Sequence, residues 1–283
     1  MIIEHKTIEL FGEKVFEKVV VSEKLKTHNP LPNEGCFFYI LDGINHSISE
    51  TQNVILKKNE GVLMKCGNYL YQGIPDKKSK QLSFIAIHIL PEIIEKIYAI
   101  NSPILSKNNS TSNEFSNLSA IRANEFIKNY IESILLYFEK PEMINESLMT
   151  IKFKEFIELM LHTRNAPEIK HIIQNLFKTN TIAFKEIVKA HIFSEITIED
   201  LAMLTNCSLA TFKRKFKEYF NDTPQNYFVN KRLEQSANQL RYSDKNIGEI
   251  AFDCLFKNTS HFSTVFNKKY AISPSQYRKS FKQ

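Results

Sequence analysis

A chain of 283 residues, 43% hydrophobic and 24% charged, carries enough apolar surface to bury two ordinary domains, which excludes a disordered polymer. No apolar run reaches the ~18 residues of a membrane helix, and Met1-Ile-Ile-Glu-His-Lys6 lacks the apolar stretch and small-residue cleavage site of a secretory signal, so a cytoplasmic protein with no membrane partner is expected. Cys36, Cys66, Cys207 and Cys254 show no Cys-x-x-Cys or Cys/His ligand spacing, which argues against a zinc site or a disulfide framework and for free thiols, buried or half-buried.

In chain order, residues 1 to about 95 read as short strands. Apolar or alternating runs at Val15–Val21, Cys36–Leu41, His46–Ser49, Asn53–Lys57, Val62–Cys66, Tyr69–Gln72 and Leu82–Leu90 are bounded by Asn-Pro, Pro-Asn-Glu-Gly, Asp-Gly and Lys-Asn-Glu-Gly. That spacing predicts a small antiparallel barrel or sandwich. Beyond Pro91 the period becomes helical. A short helix opens in Leu90-Pro-Glu-Ile-Ile-Glu-Lys-Ile97, and Ser106–Ser116 is a polar loop, the best candidate for a mobile segment. Amphipathic stretches follow near Ser119–Glu139, Glu146–His162 and Glu168–Phe177. Ile127, Ile131, Ile134, Leu135 and Phe138 form an apolar stripe on the first, and such stripes usually serve an intramolecular core. Lys178-Thr-Asn-Thr181 is a short polar boundary without a Gly/Pro/Ser linker, so two closely coupled domains are expected, at 1–177 and 181–283.

The last hundred residues run one pattern twice. Ile198-Glu-Asp-Leu-Ala202 leads to Phe212-x3-Phe216-x7-Pro224-x2-Tyr227, and Ile247-Gly-Glu-Ile-Ala251 leads to Phe262-x3-Phe266-x7-Pro274-x2-Tyr277. The offset is 49 residues from 198 to 247 and 50 from 212 to 262, so the second copy has one extra residue in its turn. Two helix-turn-helix units in tandem explain this. Thr197 and Asp200 form a shortened capping box, and after the turn at Asn206-Cys207, Ser208 caps a second helix with Leu209, Phe212 and Phe216 as its buried stripe. At 100° per residue Ala210, Lys213, Arg214 and Lys217 lie away from that stripe. In the second copy Phe262, Val265 and Phe266 face inward, which leaves Ser260, Ser263 and Thr264 outward with Thr259 and His261 on the flanks.

From about Thr181 to Lys282 the chain resembles the DNA-binding domain of AraC/XylS-type bacterial transcription regulators. The residues that carry the likeness are Ile-Glu-Asp-Leu-Ala (198–202), Phe-Lys-Arg-Lys-Phe (212–216), Lys-Arg-Leu-Glu (231–234), Asn-Ile-Gly-Glu-Ile-Ala (246–251) and the run from Ser260 to Arg278. The glycine usual in each turn is replaced by Asn206 and by Leu255, and the alanine usual in the linking helix by Ser236; Asn tolerates a left-handed backbone, while Leu255 leaves the shape of the second turn open. The resemblance implies an α+β chain, with an N-terminal cupin-like β-barrel, a helical dimer region and a C-terminal all-α double helix-turn-helix. It also implies double-stranded DNA and RNA polymerase as partners, and a homodimer contact on the Ser119–Glu139 face. Along Gly61-Val-Leu-Met-Lys-Cys-Gly-Asn-Tyr69 the chain is similar to the type III secretion activators, where control comes from a protein partner and not a small molecule.

Charge agrees with a nucleic-acid partner. Residues 181–283 hold 16 Lys+Arg against 10 Asp+Glu, while the first 180 are balanced at 21 each. Lys213 and Arg214 are candidates for base edges, Ala210 aligns with a base-reading position of the family and offers only a methyl contact, and Thr259, Ser260, His261, Ser263 and Thr264 should give the second helix a softer readout. Lys217, Arg232, Lys257, Lys268 and Lys269 are phosphate candidates, although any one lysine is as readily a solvated side chain. A pocket lined by some of Phe37, Tyr39, Tyr69 and Phe84 would take a small apolar effector or a regulatory protein. The alternative is a constitutive regulator whose N-terminal part only dimerises or docks partners. A cupin enzyme fits least: there is no His-x-His pair, His28, His46 and His88 stand singly, Gly248 is the only glycine after Gly73, and no nucleophile motif is present. No metal, no cofactor and no catalysis are expected.

Overall fold

The computed structural model describes residues 1–31, 34–65, 67–98, 118–164, 166–174 and 183–281, and its internal contacts divide the chain into two compact units, Met1–Ile182 and Ala183–Gln283. The Ser106–Ser116 loop, the Lys178–Thr181 boundary and Cys66 lie outside the described residues.

In the first unit, ten strands form two antiparallel sheets. They are β1 (Ile2–Leu10), β2 (Glu13–Val21), β3 (Leu25–Leu31), β4 (Gly35–Asp42), β5 (Ile44–Ile48), β6 (Asn53–Lys57), β7 (Glu60–Met64), β8 (Gly67–Ile74), β9 (Leu82–Ile89) and β10 (Leu118–Arg122). The six-stranded sheet runs β1-β2-β9-β4-β7-β10 and the four-stranded one β3-β8-β5-β6, so among the described residues the strands form a sandwich and not a closed barrel. Helices α1 (Pro91–Ile97), α2 (Glu125–Glu139), α3 (Glu146–Leu161) and α4 (Ala166–Gln174) supply the rest of the unit. Because side chains alternate along a strand, β4 serves two cores at once. Phe37 and Tyr39 pack with Ile131, Phe153 and Phe156 of the helices, while Cys36, Phe38 and Ile40 pack with Tyr69 and Tyr71 of the facing sheet. Covered on both faces, β4 reads as an uninterrupted apolar run.

Three strands are absent from the sequence reading, each for a local reason. Strand β1 is mostly exposed and charged, with only Ile8 and Leu10 buried. Strand β3 contains the Asn29-Pro30 pair taken as a turn; it lies at a sheet edge, where a residue without an N–H is tolerated. Residues 118–122, read as part of a helix, instead pair with β7, and the helix begins after Asn124, whose Oδ1 accepts from Ile127 N at 3.0 Å. On α2, Ile127, Ile131, Ile134 and Phe138 are buried in the core, so the predicted stripe is engaged within the unit and is unavailable as a dimer contact. The large apolar side chains that α2 leaves exposed are Phe126 and Leu136.

The second unit is helical: α5 (Phe184–Ala190), α6 (Ile198–Leu204), α7 (Leu209–Phe220), α8 (Pro224–Tyr242), α9 (Ile247–Asp253), α10 (Thr259–Tyr270) and α11 (Pro274–Lys279). It has two apolar clusters. One gathers Leu201, Ala202, Phe212, Phe216 and Phe228; the other gathers Leu233, Ala237, Ile250, Ala251, Phe262 and Phe266. Helix α8 thus gives one end to each cluster. Ser236, fully buried on α8, satisfies its hydroxyl within the helix by donating to Leu233 O at 2.8 Å.

Candidate nucleic-acid interface

Each copy builds its reading helix from the same local bonds. In the first, Thr197 Oγ1 accepts from Asp200 N at 3.1 Å and Asp200 Oδ2 from Thr197 N at 3.0 Å; in the second, Asn246 Oδ1 accepts from Glu249 N at 2.9 Å and Glu249 Oε2 from Asn246 N at 2.8 Å. These capping boxes fix where α6 and α9 begin. Both helices end in a left-handed residue, Asn206 at φ 51° and Leu255 at φ 60°. Cys207 N then donates to Ala202 O at 2.8 Å and Phe256 N to Ala251 O at 2.9 Å, the same closure in both copies. Leu255 therefore adopts the conformation that glycine would favour, at a cost of about 1–2 kcal/mol for a residue with a Cβ.

The extra residue of the second copy can now be placed. The offset is 49 through Cys207 and Phe256, and 50 from the caps onward, where Ser208 accepts from Thr211 N at 3.2 Å and Asn258 from His261 N at 2.8 Å. Lys257 is the inserted residue. Both reading helices end alike, with Asn221 and Ala271 in the left-handed region at φ 52° and 61°.

With Phe212, Phe216, Phe262 and Phe266 fully buried, the opposite faces are set. On α7 they expose Ala210, Lys213, Arg214 and Lys217; on α10, Thr259, Ser260, His261 and Thr264, with Ser263 half-buried. The Thr264 hydroxyl donates to Ser260 O at 3.0 Å, which leaves it an acceptor towards solvent. Asn267, also exposed, was passed over in the sequence reading; it is the counterpart of Lys217, and its spacing of seven from Ser260 marks it as facing the same way.

Of the phosphate candidates, Lys217, Lys257 and Lys268 are exposed. Lys269 is held against α8, donating to Asn230 O at 3.1 Å and pairing with Glu234 Oε1 at 3.3 Å. Arg232 is a correction. Half-buried, it donates from Nε to Ile192 O at 3.3 Å and from Nη2 to Ser194 O at 3.5 Å, so its guanidinium fastens α8 to the segment after α5 and is not free for a phosphate.

The four pocket candidates also do not converge. Phe37 and Tyr39 point to the helical side of the six-stranded sheet, Phe37 with its ring 5.3 Å from that of Phe156, and Tyr39 donating to Asn59 Oδ1 at 3.3 Å. Tyr69 and Phe84 lie between the sheets. A cavity of about 140 Å³ does open there, lined by Phe84 together with Phe38 and Tyr71. Residue parity, not residue type, decides which aromatic ring reaches it.

Among the described residues no group of His, Cys, Asp or Glu could hold a metal, and no helix is long and apolar enough to cross a membrane. Cys36 and Cys254 are buried and Cys207 is half-buried, all three as free thiols.

Comparison with known families bears on both units. Residues 35–172 match the ExsA N-terminal regulatory domain, and residues 201–280 match a helix-turn-helix domain that falls on the duplicated unit. The chain belongs to the AraC family, with an ExsA-like N-terminus. This family consists of transcription regulators and not enzymes. A similar relative is the HTH-type transcriptional activator RhaS of Mannheimia succiniciproducens, 32% identical over 171 residues, covering 51% of this chain and 62% of the relative. RhaS of Enterobacter sp. is 26% identical over 158 residues, 56% of each chain. The chain thus matches less than two thirds of the length of these relatives. Among solved structures, ToxT from Vibrio cholerae aligns over 95% of this chain and 100% of its own at 17% identity and a TM-score of 0.39. The DNA-binding domain of AdpA, in complex with a target DNA, covers 35% of this chain and 91% of its own at 25% identity and a TM-score of 0.34.

Proposed function

We propose that this protein is a sequence-specific DNA-binding transcription activator that reads two successive major-groove faces with α7 and α10, under the control of its N-terminal unit. The observation that carries the reading is the repetition, bond for bond, of a capped helix, a left-handed turn and a reading helix with an exposed polar face. At ~1.5 Å per residue the 19-residue α8 is about 28 Å long, close to the roughly 34 Å between equivalent groove faces. One subunit would then read an asymmetric site. Arg214 and Lys213 approach base edges, Ala210 offers a methyl contact, and the hydroxyls of α10 with His261 read more softly. Lys217, Lys257, Lys268 and Lys269 lie along phosphates. RNA polymerase is the expected second partner, and the N-terminal unit answers to a small effector or to a regulatory protein. If a dimer forms through α2, the face it can use is that of Phe126 and Leu136.

The test is selection of duplexes from a random library by the purified full chain, followed by binding at increasing salt. A recovered bipartite site with half-sites about one helical turn apart supports the reading. Equal affinity for every duplex, with no selected sequence, removes it.

A further inference from the structure

Inside the sandwich of the first unit, several core-facing positions carry polar side chains. Glu17 on β2, Asn29 on β3, Asn45 on β5 and His88 on β9 all line the inter-sheet cavity of about 140 Å³, beside the rings of Phe38 and Phe84, whose centroids are 4.5 Å apart. Burying a polar group without a partner costs about 1–3 kcal/mol, so the ones left unmatched are informative.

The ionised groups are matched. His88, 5% exposed, meets Glu34 at 2.9 Å through Nδ1 and Glu17 at 3.1 Å through Nε2, and Glu17 also takes His5 at 2.6 Å and Lys14 at 3.0 Å. Burial raises the Glu17 carboxyl, but the hydrogen bonds from His88, Lys14 and His5 outweigh it and hold it at about 2. Burial likewise pushes the His88 imidazole down, and its bonds to Glu17 and Glu34 outweigh that and carry it above its ordinary value. An imidazolium clasped between two carboxylates leaves no open counter-charge on this wall. Asn45 differs. It is 1% exposed, its Oδ1 accepts from Ser47 Oγ at 2.7 Å, and its Nδ2 has no partner.

We propose that this cavity binds a small uncharged molecule that presents an acceptor oxygen to Asn45 Nδ2 and a flat apolar face to Phe38 and Phe84. The class is that of simple aromatic or unsaturated amides, aldehydes and ketones, since a cavity of ~150 Å³ accommodates a benzene-sized ring. An ion of either sign would be desolvated with no counter-charge available, a cost of several kcal/mol. Its regulatory meaning rests on the reading of this unit as a control domain; the binding itself does not depend on DNA recognition.

The experiment uses the full chain and three probes: benzamide, toluene as a ring without the acceptor, and benzoate as the charged analogue. Benzamide should raise the melting temperature saturably, with toluene and benzoate about tenfold weaker or more. Asn45→Leu should weaken benzamide by a similar factor and leave toluene unchanged, while Ala86→Met, which fills the cavity from β9, should remove both responses. DNA affinity without probe, measured on the same preparations, should be equal in wild type and variants, so that loss of the cavity site is distinguishable from failure of the DNA reading. No response to benzamide up to its solubility limit, an equal response to benzoate, or a response kept in Ala86→Met overturns the proposal. Should Asn45→Leu not fold, Ala86→Met decides alone.

Discussion

In the first helix-turn-helix copy the turn rests on Asn206 and the reading helix presents Lys213, Arg214 and Lys217; in the second, the turn rests on Leu255, gains Lys257, and presents Ser260, Thr264 and Asn267. The backbone was kept while the chemistry diverged. Core and cap positions are constrained by packing and by amides that need partners, whereas the outward face meets only solvent until DNA arrives. A duplicated unit can therefore hold one copy to its reading role and let the other turn to backbone contact and softer recognition.

The comparison breaks first at the cores. Phe212→Ala and Phe262→Ala, each removing a fully buried ring, should destabilise the carboxy-terminal unit by about 3–5 kcal/mol apiece. Urea unfolding of both variants checks this, and hydrogen exchange should loosen α6 and α7 in one and α9 and α10 in the other, because the rings belong to separate clusters. Loss of protection spread evenly over both copies would mean that they are not independent packing units.

The reading faces come next. Arg214→Ala should cost about 1–3 kcal/mol on the selected duplex and relax preference at one base pair, while the equivalent Thr264→Ala should cost under about 1 kcal/mol. Competition between selected and random duplexes measures both, and an equal loss on the two duplexes would strike Arg214 from the base readers.

A smaller effect separates the helix ends. Ala271 is exposed in a left-handed conformation, so Ala271→Gly should stabilise by about 1 kcal/mol, whereas Asn221→Gly, where the amide already tolerates that conformation, should stay within a few tenths. Thermal melts of the two variants against wild type test the sign. The smallest effect belongs to the insertion: Lys257→Ala should weaken all duplexes alike and lower the slope of log affinity against log salt by about 1. An unchanged slope would make Lys257 a solvated surface residue.

How much was legible beforehand follows from the range of the interactions. Thr197 with Asp200, Ser208 with Thr211, and the phenylalanines four residues apart are relations within one turn of helix, and each is written in adjacent letters. Strand β6 was bounded correctly at Asn53–Lys57, yet nothing local shows that it closes a four-stranded sheet next to β5. Strand β10 was hidden because Leu118–Arg122 becomes a strand only by pairing with β7, which lies about 58 residues earlier in the chain. Arg232 looked like any cation on an amphipathic helix until the carbonyls of Ile192 and Ser194 came within its reach.

The sequence alone thus determined the tandem repeat, its caps and turns, the basic carboxy-terminal half and the change from strand to helix near Pro91, since all of these depend on neighbours within a few residues or on composition. Tertiary structure decided the rest: that Phe37 and Tyr39 serve the helical core while Phe38 and Phe84 face the inter-sheet cavity, that the α2 stripe is buried, and that Asn45 is left with an unmatched amide. Those outcomes depend on register and on which distant surfaces meet, and a one-residue change of parity in a strand reverses them without altering its composition.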